Sequence, residues 1–388
     1  MKISLFFDTY LPWLETKDPG QILLGLLDIG VDADLITVRK QDLVDYAPKF
    51  SVVQNTLADF ESEQFWSRND SDVILAYTWL ADSYTPLLEK MKLGGKKVLI
   101  KSDSDGRIGY PLPTSYLRIP LFEGATIRSL ARHVWWRLPF KFLHSKRAEQ
   151  RIRQIELSDG VIIESPDALS NLNYFLATWG RRDLIKKTHF IPNPITPEFI
   201  NSKIDKKENI IVASGRWGDK AKNTWLMAKT IVEFLKERRD YSSVIIGNGT
   251  EKIQSCIKDI PRNVKDRLSI VGFIELNKIK DILSNAKIMF TPSRWESFSL
   301  ASCEAVCMGC SVVATPVESL RYLSMQGFSG TVSSTFSKNA VLAALIHDST
   351  KWDRGDYEPE KIADFWRAKV NRKNVAESIA SLVHKPNS

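Results

Sequence analysis

Short apolar runs alternate with helix-like segments from one end of this chain to the other, and that pattern leaves few architectures open. Brief runs rich in Val, Ile, Leu and Phe, spaced by amphipathic stretches, are the signature of parallel α/β structure. In the first half the predicted strands lie near Ile3–Phe7, Asp34–Val38, Val73–Tyr77, Lys97–Ile100, Gly160–Ile163 and His189–Ile191. Predicted helices lie near Gln21–Ile29, Ser83–Met91 and Asp167–Thr178. The stretch Pro192-Asn193-Pro194-Ile195-Thr196-Pro197 then interrupts, and a charged segment follows it, as expected of a linker. A fresh alternation starts near Ile210–Ala213 and continues at Val244–Ile246, Leu268–Val271, Ile288–Phe290 and Val312–Ala314. Helices near Thr224–Arg238, Lys278–Asn285 and Leu300–Met308 fill its gaps. A chain of 388 residues suits two such domains, with the boundary expected at 195/196. Two open parallel sheets in series place a ligand cleft at the carboxyl ends of their strands.

Composition narrows the class. At 43% hydrophobic and 26% charged residues, the chain has apolar material for two cores and is far from disorder. No run approaches the roughly 20 apolar residues of a membrane-spanning helix. Asp8 falls too early for a signal-peptide core, and four cysteines are no disulfide framework. The expectation is a cytoplasmic protein.

The net charge of +8 is unevenly placed. Between Thr126 and Arg153 stand eight basic residues and one acid, Glu149, interleaved with bulky apolar side chains. Arg128, Arg132, Trp135, Trp136, Arg147 and Arg151 are the candidate contacts here, for an anionic membrane surface or an acceptor. Two plainer readings stand beside this one: a surface helix whose apolar side is core, and a nucleic-acid stripe. No nucleic-acid motif accompanies the stripe.

The densest chemistry lies between Ile288 and Pro316. A buried strand ends at Pro292, Glu296 stands in the loop after it, and a helix starts near Ser299 with Gly309 at its C-terminal turn. Free amides at the helix start and the helix dipole favour phosphate. Glu304 lies early on the same helix, placed to face the cleft. Cys303-x3-Cys307-x2-Cys310 imitates an iron–sulfur spacing, but within a helix-Gly-strand unit it reads as small core residues. Asp103-x-Asp105 imitates a metal-binding pair, with a polar turn as the plainer reading.

Glu296-x7-Glu304, followed by Ala305, Gly309 and Val312-Val313-Ala314, resembles the signature of retaining glycosyltransferases of family 4. Ser214-Gly215-Arg216, Lys222, Ile191-Pro192-Asn193-Pro194, Gly247-Asn248-Gly249 and Val271-Gly272-Phe273 fall in that family's order. The resemblance implies the GT-B fold, two Rossmann-like domains facing a central cleft, with a nucleoside-diphosphate sugar in the second domain and acceptor in the first. It also implies that the last helix, from about 360 to 388, crosses back to the first domain, leaving 196–359 as the donor domain. It assigns Glu296 to the sugar hydroxyls, Glu304 to the ribose, and Arg216 and Lys222 to the departing diphosphate. Gly20, Gly247, Gly272, Phe273, Phe298, Ser299 and Leu300 complete the implied donor contacts. No metal or other cofactor is implied.

Three departures from that pattern are visible. Ser299 replaces the Gly nearest the diphosphate, a Gly-Gly loop reduces to the single Gly20, and the family's first-domain His has no match. Asp103 or Asp105 occupies the equivalent strand end, and Asp103 is the candidate for the catalytic role there. The acceptor is expected to be a glycan or lipid-linked glycan in cell-surface polysaccharide or glycoconjugate synthesis, reached from the inner face of the membrane. A sugar-nucleotide epimerase on the same fold and an inert glycan-binding scaffold are the rival readings.

Overall fold

The computed structural model describes residues 1–41, 46–106, 108, 131, 144–257 and 260–384. They form two compact units: the chain up to Thr196 joined by the residues from Lys369 onward, and Pro197–Ala368.

The first unit carries a parallel sheet of seven strands: β1 (Lys2–Phe6), β2 (Asp32–Thr37), β3 (Ser51–Gln54), β4 (Val73–Thr78), β5 (Lys97–Ser102), β6 (Gly160–Ile163) and β7 (Thr188–Phe190). Their order across the sheet is β3-β2-β1-β4-β5-β6-β7. The chain runs outward from β1 in one direction, then returns to β4 and runs outward in the other. The central strands are buried on both faces, which is why they read as continuous apolar runs rather than alternating ones. β3 escapes sequence reading because it is an edge strand, mostly exposed, with no apolar face to signal it.

One apolar layer of this unit packs Ile22, Leu23 and Leu26 of α1 (Asp18–Asp28) beneath the sheet, together with Val375, Ala376 and Ile379 from the chain's last helix. The opposite layer is built from α2 (Thr85–Leu93), α3 (Ser145–Leu157) and α4 (Pro166–Thr178). The helix expected from about 360 onward is two helices, Pro359–Val370 and Arg372–His384. The break is Asn371, whose side chain caps the second helix by accepting from Lys373 N–H at 2.9 Å and whose backbone bridges to Ile195.

The second unit has six parallel strands: β8 (Glu208–Ser214), β9 (Ser242–Ile246), β10 (Leu268–Val271), β11 (Ala286–Thr291), β12 (Ser311–Ala314) and β13 (Gly330–Val332). Their order is β10-β9-β8-β11-β12-β13, so the winding again reverses at the strand that enters first. β13, at the edge, went unread because it is short and opens on Gly330, where a side chain would strike the Val312 backbone.

Candidate active site

In an open parallel sheet the loops leaving two adjacent strands diverge where the winding reverses, and a crevice opens between them. In the second unit those strands are β8 and β11. The β8 loop turns at Gly215 and is pinned by Trp217, a buried ring whose backbone N–H donates to Asn248 O at 2.8 Å and whose indole donates to Ile246 O at 2.9 Å. Asp219 caps the next turn by accepting from Ala221 N–H at 2.9 Å, and Asn223 in the left-handed region starts α5 (Thr224–Glu237). That turn delivers Lys222.

From the other side, the β11 loop brings Glu296. Its carboxylate accepts from Lys222 Nζ at 2.6 Å and from Ser293 Oγ at 2.5 Å. The Lys222 and Glu296 side chains are 18% and 10% exposed, so the pair is shielded yet reachable. The two loops are bolted together by Arg294 N–H donating to Ala221 O at 2.7 Å, and Thr315 Oγ1 donates to Ser293 O. A cation and a carboxylate are thus fixed side by side before any ligand arrives, which is the preorganisation that stabilises developing charge.

Phe298 is buried, and Ser299 sits at φ +71°, a conformation that favours glycine. Its hydroxyl bonds Ser302 Oγ at 2.9 Å, which in turn bonds Thr291 Oγ1 at 2.8 Å. This chain of hydroxyls holds the start of α6 (Leu300–Cys307), on whose first turns Leu300 and the buried Glu304 lie. Gly247 has φ +120°, and a Cβ there would lie 1.9 Å from Gly215 O. Gly272 O accepts from Gly247 N–H at 3.1 Å, while Phe273 is 79% exposed. Arg216 is 81% exposed and reaches Asp219 at 3.5 Å, so of the two expected cations only Lys222 is held in place. We expect Gly247→Ala to displace the Gly215 turn and cost at least about 2 kcal/mol, because backbone cannot yield as a side-chain tip does. Thermal unfolding checks this.

In the first unit Asp103 follows β5 and is exposed. Beside it lies a network that sequence reasoning missed. Lys101 and Glu164, both fully buried, pair at 2.8 Å. Asn193 Nδ2 donates to Glu164 at 3.0 Å and to Asp18 at 3.2 Å, and the Tyr77 hydroxyl also donates to Asp18. Desolvation pushes Asp18 up to about 7, with the charge of Asp103 adding to it. Desolvation also pushes Glu164 well above the carboxylate range, and Lys101 offsets only part of that. The available signal was a lysine closing an apolar strand, Lys97–Ser102.

Gly20 has a packing reason: a Cβ there would lie 2.4 Å from Leu14 O, so α1 starts hard against the preceding turn. Arg128, Arg132, Trp135 and Trp136 lie outside the described residues. Arg147 sits 3.9 Å from Asp82, and Arg151 Nε donates to Leu80 O at 3.4 Å. Desolvation draws Arg151 down to about 10. Within the described part of the basic stripe, these arginines therefore have partners on their own unit. Cys303, Cys307 and Cys310 are buried in the second core, and the Cys310 thiol donates to the Leu283 and Ala286 carbonyls.

Residues 195–351 match the family Glycosyl transferases group 1. An uncharacterized glycosyltransferase of Bacillus subtilis (strain 168), YqgM, is 28% identical over 164 residues, 41% of this chain and 45% of that protein. The match thus spans less than half of that relative's length. Among solved structures, Anabaena HepE in complex with UDP and glucose aligns over 100% of both chains at TM-score 0.66 and 12% identity. WaaG, a glycosyltransferase involved in lipopolysaccharide biosynthesis, aligns over 99% of this chain and 100% of its own, at TM-score 0.61 and 12% identity. The fold is accordingly that of the GT-B glycosyltransferase structures, α/β with parallel sheets in two domains, and residues 195–351 are similar to the group 1 glycosyltransferases.

Proposed function

We propose that this protein transfers a sugar, with retention at the anomeric carbon, from a nucleoside-diphosphate sugar to a glycan or lipid-linked glycan, in cell-surface polysaccharide or glycoconjugate synthesis. The observation that carries the reading is the Lys222–Glu296 pair at 2.6 Å, set where the second sheet reverses. In the reaction the bond between the anomeric carbon and the diphosphate oxygen breaks, and its electron pair leaves with the diphosphate. The acceptor oxygen bonds to the anomeric carbon, and its proton passes to the departing phosphate.

Lys222 stands ready to neutralise the charge growing on that phosphate without being reorganised, and Arg216 has the reach to join it. The amides that open α6 add partial positive charge. Glu296 accepts from the sugar hydroxyls and Glu304 from the ribose, while Phe273 covers the base. The fixed Lys222, the solvent-exposed Arg216 and a helix start supply positive charge for this chemistry, and the reading invokes no metal. Asp103 is proposed to take the first-domain role, and the basic stripe to approach an anionic membrane from the cytoplasmic side.

Calorimetric titration with uridine, guanosine, adenosine, cytidine and thymidine diphosphates tests the reading. One of them is expected to bind, uridine diphosphate being the first to try because HepE was solved with it. Lys222→Ala is expected to weaken that binding by about ten-fold or more, the value of a charge-assisted contact. Binding of none of them would remove the donor site and with it the proposal.

A further inference from the structure

The Glu296 carboxylate is held unevenly. Lys222 Nζ at 2.6 Å and Ser293 Oγ at 2.5 Å both donate to Oε1, and among the described residues no donor reaches Oε2. A carboxylate offers about four lone-pair sites, two on each oxygen, so one oxygen is taken up and the other stays open. The last torsion of a glutamate side chain is broad, and by itself it lets the two oxygens exchange places. Two donors meeting on one oxygen remove that freedom.

The two donors are not equivalent. Lys222 is a point charge on a flexible stem, and it is the group that a diphosphate would draw away. Ser293 is 1% exposed, so no ligand competes for its hydroxyl. The backbone that carries it is pinned from several sides. Pro292 restricts the chain just before it. Buried Thr315, the residue after β12, donates its hydroxyl to Ser293 O, and the next N–H, of Arg294, donates to Ala221 O at 2.7 Å. The loops leaving β8, β11 and β12 therefore all bear on this one residue.

Ser293-x-x-Glu296 has the spacing of a helix capping box, in which the serine accepts from the backbone and the glutamate reaches back. A capping box is not what forms here. Residues 294–299 are not helical, α6 begins only at Leu300, and the hydroxyl donates to the carboxylate itself. The contact serves the carboxylate rather than a helix end.

We propose that Ser293 is a positioning residue: it holds the Glu296 carboxylate with Oε2 open to a sugar hydroxyl, and it goes on holding it when Lys222 turns to the diphosphate. Ser293 touches no substrate and acts through Glu296. This rests on the glycosyl-transfer reading, which gives Glu296 the sugar hydroxyls and Lys222 the departing phosphate.

The test uses the full chain and two readouts: diphosphate affinity by calorimetry, and release of diphosphate from the sugar nucleotide with water as the acceptor. The first probes are uridine diphosphate and UDP-glucose, because HepE was solved with UDP-glucose, with the other four diphosphates and their hexose conjugates beside them. Ser293→Ala is expected to slow release about ten-fold, the value of a hydrogen bond to a charged group. It should leave diphosphate affinity within about two-fold, since a contact made only with the sugar does not enter that binding. Ser293→Thr keeps the donor and is expected to stay within about three-fold of wild type. In the Glu296→Gln background, Ser293→Ala is expected to add less than about two-fold, because two residues that act as one unit do not add. Thr315→Val, which frees the Ser293 carbonyl without touching Glu296, is expected to slow release about three-fold and to spare diphosphate affinity. It keeps the test open should Ser293→Ala fail to fold. Wild-type release by Ser293→Ala overturns this inference and leaves the proposed function standing. An equal loss with and without the Glu296 carboxylate, or an equal loss of diphosphate affinity, also overturns it by showing a general structural role. Failure of the wild-type chain to bind any diphosphate removes the proposed function and this inference together.

Discussion

Glu296→Gln is expected to lower sugar transfer by about 10²–10³-fold, the usual cost of removing one preorganised electrostatic group from an active site. Glutamine keeps the shape but has no charge and one acceptor fewer. The amide cannot hold Lys222 at 2.6 Å as the carboxylate does. Diphosphate binding separates a catalytic effect from a structural one. Lys222 released from its carboxylate remains free to meet phosphate, so diphosphate affinity is expected to stay equal or rise while turnover falls. Lys222→Ala is expected to lose both. Full turnover by Glu296→Gln with its true donor would show that the carboxylate is only a tether for Lys222.

The second large effect belongs to stability. Lys101→Met is expected to destabilise the first unit by about 3–5 kcal/mol above neutral pH, the cost of leaving a buried charge without its partner. The effect should shrink toward pH 5. Asp18 and Glu164 both have folded-state values raised above their unfolded ones, so the native state holds protons that the unfolded chain has released. In that window stability falls as pH rises, from the ordinary carboxylate range up to about 7 for Asp18. With those acids protonated, removing the Lys101 ammonium leaves no buried anion behind; once they ionise, it does. Denaturant unfolding of wild type and variant at several pH values measures this. A cost for Lys101→Met that is the same at pH 5 and pH 8 would show that packing over the Tyr77 ring, 5.6 Å away, matters more than the ion pair.

Much of the fold was legible. β6 and β10 fall at the residues expected, and the other core strands fall within two residues of expectation at each end. Buried strands of a parallel sheet are apolar throughout, and that is a local property. The edges were not legible: β3 and β13 have little to bury, so their sequence has little to show. The single helix expected at the tail breaks at Asn371 because its apolar spacing continues across a residue that leaves the helix to bridge Ile195.

The site divides in the same way. Glu296 stands out as an acid at its strand's exit, and it was the family resemblance that singled out Lys222 and marked Ser299 as occupying a glycine's place. That Lys222 is clamped and Arg216 projects into solvent could not be read, because the contact joins residues 74 positions apart. The buried Lys101–Glu164 pair spans 63 positions, and the Asn193 contact to Asp18 spans 175. Sequence by itself determined the two α/β units, their core strands and the identity of the residues at the strand ends, since periodicity and residue type are written along the chain. Tertiary structure alone decided which charges meet and which are desolvated. Those follow from loops of distant strands brought to one edge of a sheet, and the order of those strands is not a local property.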